Sequence, residues 1–162
     1  MIKEGYTSNE RIKEESDFLR GNISNLLHDD SITHFPSEEE FLLKFHGITQ
    51  QDNRDERLIR KKNGQGRNWL FMLRLRLPGG RITPSQWLAA ETLSDQFGNG
   101  TLKLTTRQAI QIHGVVKQDL KQTMKDIHHA AITTIAASGD ATRNVMAVSY
   151  THLRAHETLS DL

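Results

Sequence analysis

Side chains with positive charge or hydrogen-bonding groups alternate along the segment TLKLTTRQAIQIHG, residues 101–114. They are Lys103, Thr105, Arg107, Gln111 and His113. Because successive side chains of a strand point to opposite faces, these residues share one face and most of the apolar residues share the other. The segment contains no Asp or Glu, which is unusual for a face that is merely solvated. The pattern therefore predicts a sheet face that binds an anion, with a half-solvated sheet without a ligand as the alternative.

A second stretch repeats this chemistry. In WLFMLRLRL, residues 69–77, the odd positions from Phe71 onward are apolar, whereas Met72, Arg74 and Arg76 fall on the opposite face. This is the pattern of a half-buried strand with a cationic face. Thr106 and Gln108 interrupt the apolar face of residues 101–116, so that run is either one bent strand or two strands that meet near residues 106–107.

The elements that must position these strands follow from caps and periodicity. Thr83 and Pro84 predict the start of a helix that ends near Phe97, before a glycine-rich break at residues 98–100. A second helix is expected over residues 118–137, with a core stripe of apolar residues at spacings of three and four. The stripe consists of Leu120, Met124, Ile127, Ala131 and Ile135. A turn at residues 139–140 and a further strand over residues 143–146 complete the order.

This order predicts an α+β fold, the ferredoxin-like half-domain, in which two helices cover one face of an antiparallel sheet. We divide the chain into an N-terminal arm and wrapping segment (1–66), the half-domain (67–146) and a non-native tail (147–162). In the arm, Thr7 and Glu10 predict a capping box at the start of a helix over residues 7–20. Residues 41–46 are interpreted as a buried strand, with a helix capped by residues 37–40 as the alternative. Residues 50–67 are interpreted as exposed and extended or looping.

Composition excludes several classes of function. The 162 residues carry a formal net charge of +1 and include 36% hydrophobic and 25% charged residues, a profile typical of one globular domain. With no long apolar run and no signal peptide, a cytoplasmic protein that does not contact membranes is expected. Cysteine is absent, so this chain holds no thiolate nucleophile and no ligands for an iron–sulfur cluster.

Two other interpretations of the cationic face were considered. An RNA-recognition module has the same strand and helix order, but it needs aromatic side chains on its central strands. Residues 101–116 contain no Phe, Tyr or Trp, and no nucleic-acid partner is expected. A purely structural ferredoxin-like module leaves the like-charged face unexplained.

Four segments, in this order and spacing, resemble a known family. They are LKFHGITQQDNRD at 43–55, MLRLRLPGGRITPSQW at 72–87, GTLKLTTRQAIQIHG at 100–114 and GDATRNVM at 139–146. Together they resemble the siroheme-dependent nitrite and sulfite reductases, and most of all the N-terminal part of the assimilatory sulfite reductase hemoproteins. The resemblance extends over nearly all of residues 1–146.

The resemblance implies an oxidoreductase that carries out the six-electron reduction of sulfite to sulfide at siroheme coupled to a [4Fe-4S] cluster. Siroheme is rich in carboxylates, which favours Arg, Lys and hydroxyl donors. By match to the family motif, Arg74 and Arg143 would bind the substrate anion. The residues that would bind siroheme are Lys103, Thr105, Arg107, Gln111 and His113. Arg76, His46 and residues 50–55 are interpreted as structural, and no residue of this chain is expected to bind a metal.

The resemblance also implies parts that these 162 residues lack. In the family, a second half supplies the four cluster cysteines and two lysines of the anion site, so the chain by itself is not expected to reduce sulfite. Residues 147–162 do not resemble the family and are interpreted as a translated adapter or vector sequence. The implied electron donor is an NADPH-dependent flavoprotein, with ferredoxin as the alternative. A siroheme nitrite reductase is the alternative activity.

Overall fold

A computed structural model describes residues 5–138 and 143–148 of the chain. Four strands form one antiparallel sheet in the order β1-β2-β4-β3. The strands are β1 (Ile48–Asp52), β2 (Trp69–Leu75), β3 (Leu102–Leu104) and β4 (Ile110–Val115). The helices are α1 (Ser8–Glu15), α2 (Ile23–Leu27), α3 (Ser37–Leu43), α4 (Arg54–Lys62), α5 (Pro84–Phe97) and α6 (Leu120–His129). None of the helices among the described residues is long and apolar enough to cross a membrane.

The core lies between one face of the sheet and helices α5 and α6. The apolar positions of β2 and β4 are almost completely buried there, together with residues from both helices. These core residues include Phe71, Leu73, Leu75, Ile110, Ile112, Leu93 and Ile127. The α+β ferredoxin-like half-domain predicted from the sequence is therefore confirmed. The side of the sheet opposite α5 and α6 is here called the front face.

Local sequence signals explain the best-predicted elements. Thr83 caps α5 by accepting a hydrogen bond from the backbone N–H of Gln86, and the Gln86 side chain accepts one from the backbone N–H of Thr83. Pro84 occupies the first turn, where its missing N–H costs nothing. Residues 101–116 form two strands joined by a turn, which decides between the two alternatives that the alternation pattern left open.

The interpretation of residues 41–46 as a strand was wrong. Residues Ser37–Leu43 form α3, and a 3-10 turn follows over Lys44–His46. Three glutamates in the first turn of α3 favour a helix start because they complement the helix dipole. Leu42, Leu43 and Phe45 are buried, so the apolar run that resembled a buried strand is a helix end that packs inward.

Residues 50–67 were also only partly predicted. Gln50, which is buried, belongs to β1 at the sheet edge, and α4 follows from Arg54. The Gln50 side chain accepts a hydrogen bond from the backbone N–H of Phe35 and donates to the Phe35 carbonyl. β1 thus lies inside the segment predicted as a wrapping arm, and it pairs with β2 throughout its length.

Two helices are shorter than their periodicity indicated. The capping box of Thr7 and Glu10 is confirmed, but α1 ends at Glu15 because residues 17–19 have positive φ. α6 ends at His129, and Ala131 has positive φ. Ala131 and Ile135 are exposed, so the predicted core stripe stops after Ile127.

The predicted strand at residues 143–146 does not form, and these residues have no regular secondary structure. An isolated bridge between Arg76 and Thr133 extends the β2 side of the sheet instead. The predicted turn at residues 139–140 and the predicted tail beyond residue 148 lie outside the described residues.

Candidate functional site

Three of the predicted site residues form a row across the front face. Arg74 on β2 pairs in register with Gln111 on β4, and Gln111 pairs with Lys103 on β3. The alternation of each strand places all three side chains on the same side of the sheet. The row, defined here as Arg74, Gln111 and Lys103, therefore brings together two cations from distant parts of the sequence.

Gln111 links Arg74 to His113. With its amide oxygen facing β2, Gln111 accepts hydrogen bonds from Nη2 and Nε of Arg74 at 2.6 and 3.1 Å. Its amide nitrogen then donates to Nε2 of His113 at 3.3 Å. When the imidazole is neutral, this arrangement, in which Nε2 accepts, places the ring proton on Nδ1.

Burial and neighbouring charges shift the pKa values of two side chains on the front face. Partial burial lowers the pKa of the Arg74 guanidinium, and the charge of Arg143 lowers it further. Partial burial likewise lowers the pKa of His113, helped by Lys103 and Arg74. The ion pairs within residues 5–138 join Asp17 to Arg20, Asp52 to Arg57 and Glu56 to Arg60. None of these pairs includes Arg74, Lys103 or Arg107.

A β-bulge orients His113. The register between β2 and β4 shifts between Phe71 and Leu73, and Gly114 adopts φ +86° at this point. Such a bulge inserts one residue and re-aims its neighbours. Consequently Ile112 and Val115 are both buried on the core side, while His113 between them stays half-exposed on the front face.

Thr105 and Arg107 lie in the turn between β3 and β4. The Thr105 hydroxyl oxygen accepts hydrogen bonds from the backbone N–H groups of Arg107 and Ala109 at 3.3 and 3.1 Å. Its own proton remains available to donate to a ligand. Arg107 is exposed, so the turn adds one exposed cation and one hydroxyl group beside the row.

Arg143 lies next to a short segment that is tied to this turn. Its neighbour Asn144 is buried, and the Asn144 side chain donates to the backbone carbonyls of Arg107 and Gln108 at 2.7 and 3.1 Å. The charge of Arg143 contributes to the lowered pKa of Arg74. The two arginines predicted to bind the substrate anion therefore influence each other electrostatically.

A cavity of about 670 Å³ opens beside Lys103 and His113. Its wall includes Asn53, Arg54 and Asn99, which sequence reasoning did not assign to a site. Their polarity did not mark them as site residues in the sequence, because they lie in charged or glycine-rich segments that resemble ordinary surface loops. The cavity shows that the front face continues past β1 to the start of α4.

The cationic and neutral donors of this arrangement are suited to binding anions. The donors described above are cationic or neutral, and cationic donors form strong charge-assisted hydrogen bonds to carboxylates and oxyanions. The strand positions on the front face include Thr49, Gln51, Leu70 and Met72 but no Phe, Tyr or Trp. Base stacking, which RNA-recognition modules use, therefore has no aromatic platform on these strands.

Comparisons with known proteins identify related chains. Residues 62–130 match the nitrite/sulfite reductase ferredoxin-like half domain. The chain is 51% identical over 156 residues to the Saccharomyces cerevisiae sulfite reductase [NADPH] subunit beta, covering 96% of this chain and 11% of that protein. It is 49% identical over 140 residues to the Bacillus subtilis sulfite reductase [NADPH] hemoprotein beta-component, covering 86% of this chain and 24% of that protein.

A solved structure shares the fold. The Mycobacterium tuberculosis NirA protein matches with a TM-score of 0.68 at 20% identity, over 86% of this chain and 27% of that one. The chain therefore spans between about a tenth and a quarter of the relatives that it matches. From the half-domain match and the identity to these curated relatives, we conclude that the chain belongs to the nitrite/sulfite reductase family.

Proposed function

We propose that this chain forms part of the siroheme and anion pocket of a sulfite reductase hemoprotein. The observation that carries the proposal is the row of Arg74, Gln111 and Lys103, with Arg143 close enough to influence Arg74. The names of the two curated relatives, both NADPH sulfite reductase beta subunits, favour sulfite as the substrate of the whole protein.

The donor set fits siroheme, whose macrocycle bears many carboxylates. Lys103 and Arg107 are exposed cations, and Thr105 keeps a hydroxyl proton to donate. With Nε2 accepting from Gln111, His113 would present its Nδ1–H as a further donor. When bound, siroheme would supply the iron and the conjugated ring through which electrons reach the substrate.

The chain's own residues would bind and orient. Arg74 and Arg143 would bind the sulfite oxyanion, because two fixed guanidinium groups give charge-assisted hydrogen bonds at a site where negative charge accumulates. Gln111 would hold Arg74 in place through its two hydrogen bonds. The lowered pKa of Arg74 indicates a desolvated cation, which gains more from an anion than a solvated one does.

The remaining machinery would come from elsewhere in the protein. A [4Fe-4S] cluster needs cysteine thiolates, and the 162 residues contain no cysteine. The word NADPH in both relatives' names favours a flavoprotein subunit as electron donor. We further propose that residues 67–146 act as the cofactor-binding unit, with residues 1–66 packed around it.

Siroheme binding tests the proposal directly. Titrating the 162-residue chain with siroheme and recording the visible absorption spectrum should give a saturable band shift. Replacing Lys103 or Arg107 with glutamine should weaken the apparent affinity several-fold, whereas Lys125→Gln, at an exposed position of α6, should leave it unchanged. A wild-type chain without a saturable shift, or equal affinities for all variants, would contradict the proposal.

A further inference from the structure

Asn144 makes an unusual set of contacts that the proposed function does not use. Its side chain is 3% exposed, and Nδ2 donates to the carbonyls of Leu77, Arg107 and Gln108 at 2.9, 2.7 and 3.1 Å. An amide nitrogen has two protons, so one of them is shared between two acceptors. The three carbonyls come from two separate turns, one after β2 and one between β3 and β4, and Asn144 ties these turns together.

The Asn144 oxygen has been left without a hydrogen-bond partner among the described residues. Burying an unpaired carbonyl oxygen destabilises a fold, and a buried apolar residue here would avoid that penalty. The three donated hydrogen bonds explain why an amide occupies the position. This pattern is typical of a residue that fixes geometry.

Gln108 forms the second half of the same attachment. Its side-chain Nε2 donates to the Ala147 carbonyl at 2.7 Å, and its Oε1 accepts from the Ala147 N–H at 3.0 Å. Gln108 itself has φ +55°, which turns its side chain out of the β3–β4 turn. A backbone hydrogen bond, from the Gly79 N–H to the Val145 carbonyl at 2.8 Å, also belongs to this attachment.

These bonds hold residues 144, 145 and 147, which directly follow Arg143 in the sequence. Arg143 is exposed, and its backbone position follows from that of the attached segment. The β3–β4 turn to which the segment is tied carries Thr105 and Arg107 and joins two of the three strands that carry the row. The segment and the front face are therefore held together as one unit.

We propose that Asn144 and Gln108, together called the amide clamp, are positioning residues for the anion site. They hold Arg143 beside Arg74, so that both guanidinium groups address one anion. This inference rests on the proposed function, because it gives the clamp a role at the Arg74–Arg143 pair. Neither residue is placed in contact with the substrate.

The test uses the 162-residue chain and two variants. Asn144→Ala removes the three donated bonds, and Gln108→Asn retains a residue that tolerates positive φ while shortening the side chain so that it no longer reaches Ala147. Gln122→Asn is the matched control, because Gln122 is exposed on α6 and its amide bonds only Asp126. If one of the two clamp variants does not give the circular dichroism spectrum of the wild type, the other variant is used for the test.

Two readouts are measured by NMR. Hydrogen exchange of the Gly79 and Ala147 amides reports whether the segment remains attached, and loss of the clamp should accelerate it by on the order of tenfold or more. A sulfite titration followed at the Arg74 Nε–H reports the anion site. We expect the clamp variants to need several times more sulfite for half-saturation, whereas Gln122→Asn should match the wild type.

The outcomes separate the two proposals. Faster exchange with an unchanged sulfite midpoint would make the clamp merely structural and overturn the positioning role. Unchanged exchange in both variants would overturn the clamp itself. A wild-type chain whose Arg74 signal does not respond to sulfite would refute the Arg74–Arg143 pair and thus the substrate site of the proposed function.

Discussion

Replacing Gly114 with alanine should destabilise the fold and displace His113. Gly114 occupies the bulge in β4 at φ +86°, and a Cβ atom there would lie 2.9 Å from Asn99 Cβ and 3.1 Å from Asn99 N. Asn99 is not free to withdraw, because its N–H donates to the His113 carbonyl at 2.8 Å. Relieving the clash would therefore stretch the bond that fixes the residue before the bulge.

The expected cost has two parts. A non-glycine residue in the left-handed region costs about 1–2 kcal/mol, partly offset by about 0.4–1 kcal/mol from the reduced entropy of the unfolded chain. Overpacking against Asn99 adds about 1–3 kcal/mol. Gly64 provides the matched control, since it has φ +68° but no atom within 4 Å of the Cβ position. We expect Gly64→Ala to cost about 1 kcal/mol and Gly114→Ala about 2–4 kcal/mol.

Urea unfolding followed by circular dichroism measures both free energies of unfolding. The difference between the variants isolates the contact with Asn99, because the conformational cost is common to both. An NMR titration of the His113 ring in Gly114→Ala should show a pKa closer to the ordinary histidine value, since a displaced ring is less buried. If the two variants were equally stable within about 0.5 kcal/mol, the bulge would not be held by this close approach.

Three further predictions concern charge. Lys103→Gln should raise the pKa of His113 in an NMR titration, because the Lys103 cation helps to lower it; an unchanged pKa would refute that coupling. Because the folded-state pKa of His113 lies below its unfolded value of about 6.5, protonation favours the unfolded state, and stability is lost as the pH falls below that value. The urea midpoint of His113→Gln should accordingly decrease less between pH 7.5 and 5.5 than that of the wild type. An equal decrease in both proteins would contradict the proposed destabilisation by His113 protonation. Lys117 is buried and donates to the Asp29 carbonyl at 2.7 Å. Lys117→Met should therefore lower the free energy of unfolding, measured with urea, by about 1–3 kcal/mol. Lys125→Met, at an exposed position of α6, should lower it by less than about 0.5 kcal/mol.

Elements with strong local signals were predictable from the sequence. α5 begins with a cap and a proline and ends before Gly98, and β2 alternates apolar and polar residues. The same period-two pattern is sufficient to place Arg74, Gln111 and Lys103 on one face. Their alignment into a row depends on strand pairing, which a single sequence does not encode locally.

The missed elements depend on tertiary contacts. Residues 41–46 form an apolar run whose periodicity is too short to separate helix from strand, and burial of Leu42 and Phe45 is compatible with both. β1 looked like a polar loop because Gln50 is buried through hydrogen bonds to Phe35. The amide clamp was missed for the same reason, since Gln108 and Asn144 meet only in the folded chain.

The pairing of the strands also fixes the distance between the two cations' backbone positions in the row. Neighbouring strands are about 4.8 Å apart, so the backbones that carry Arg74 on β2 and Lys103 on β3, with β4 between them, are separated by about 10 Å. This separation is set by main-chain hydrogen bonds, and substitution of the side chains leaves it unchanged. Under the proposed function, this spacing would select rigid ligands by the distance between their anionic groups. Substitutions in the row would then change the charge at each position without changing the distance between the positions.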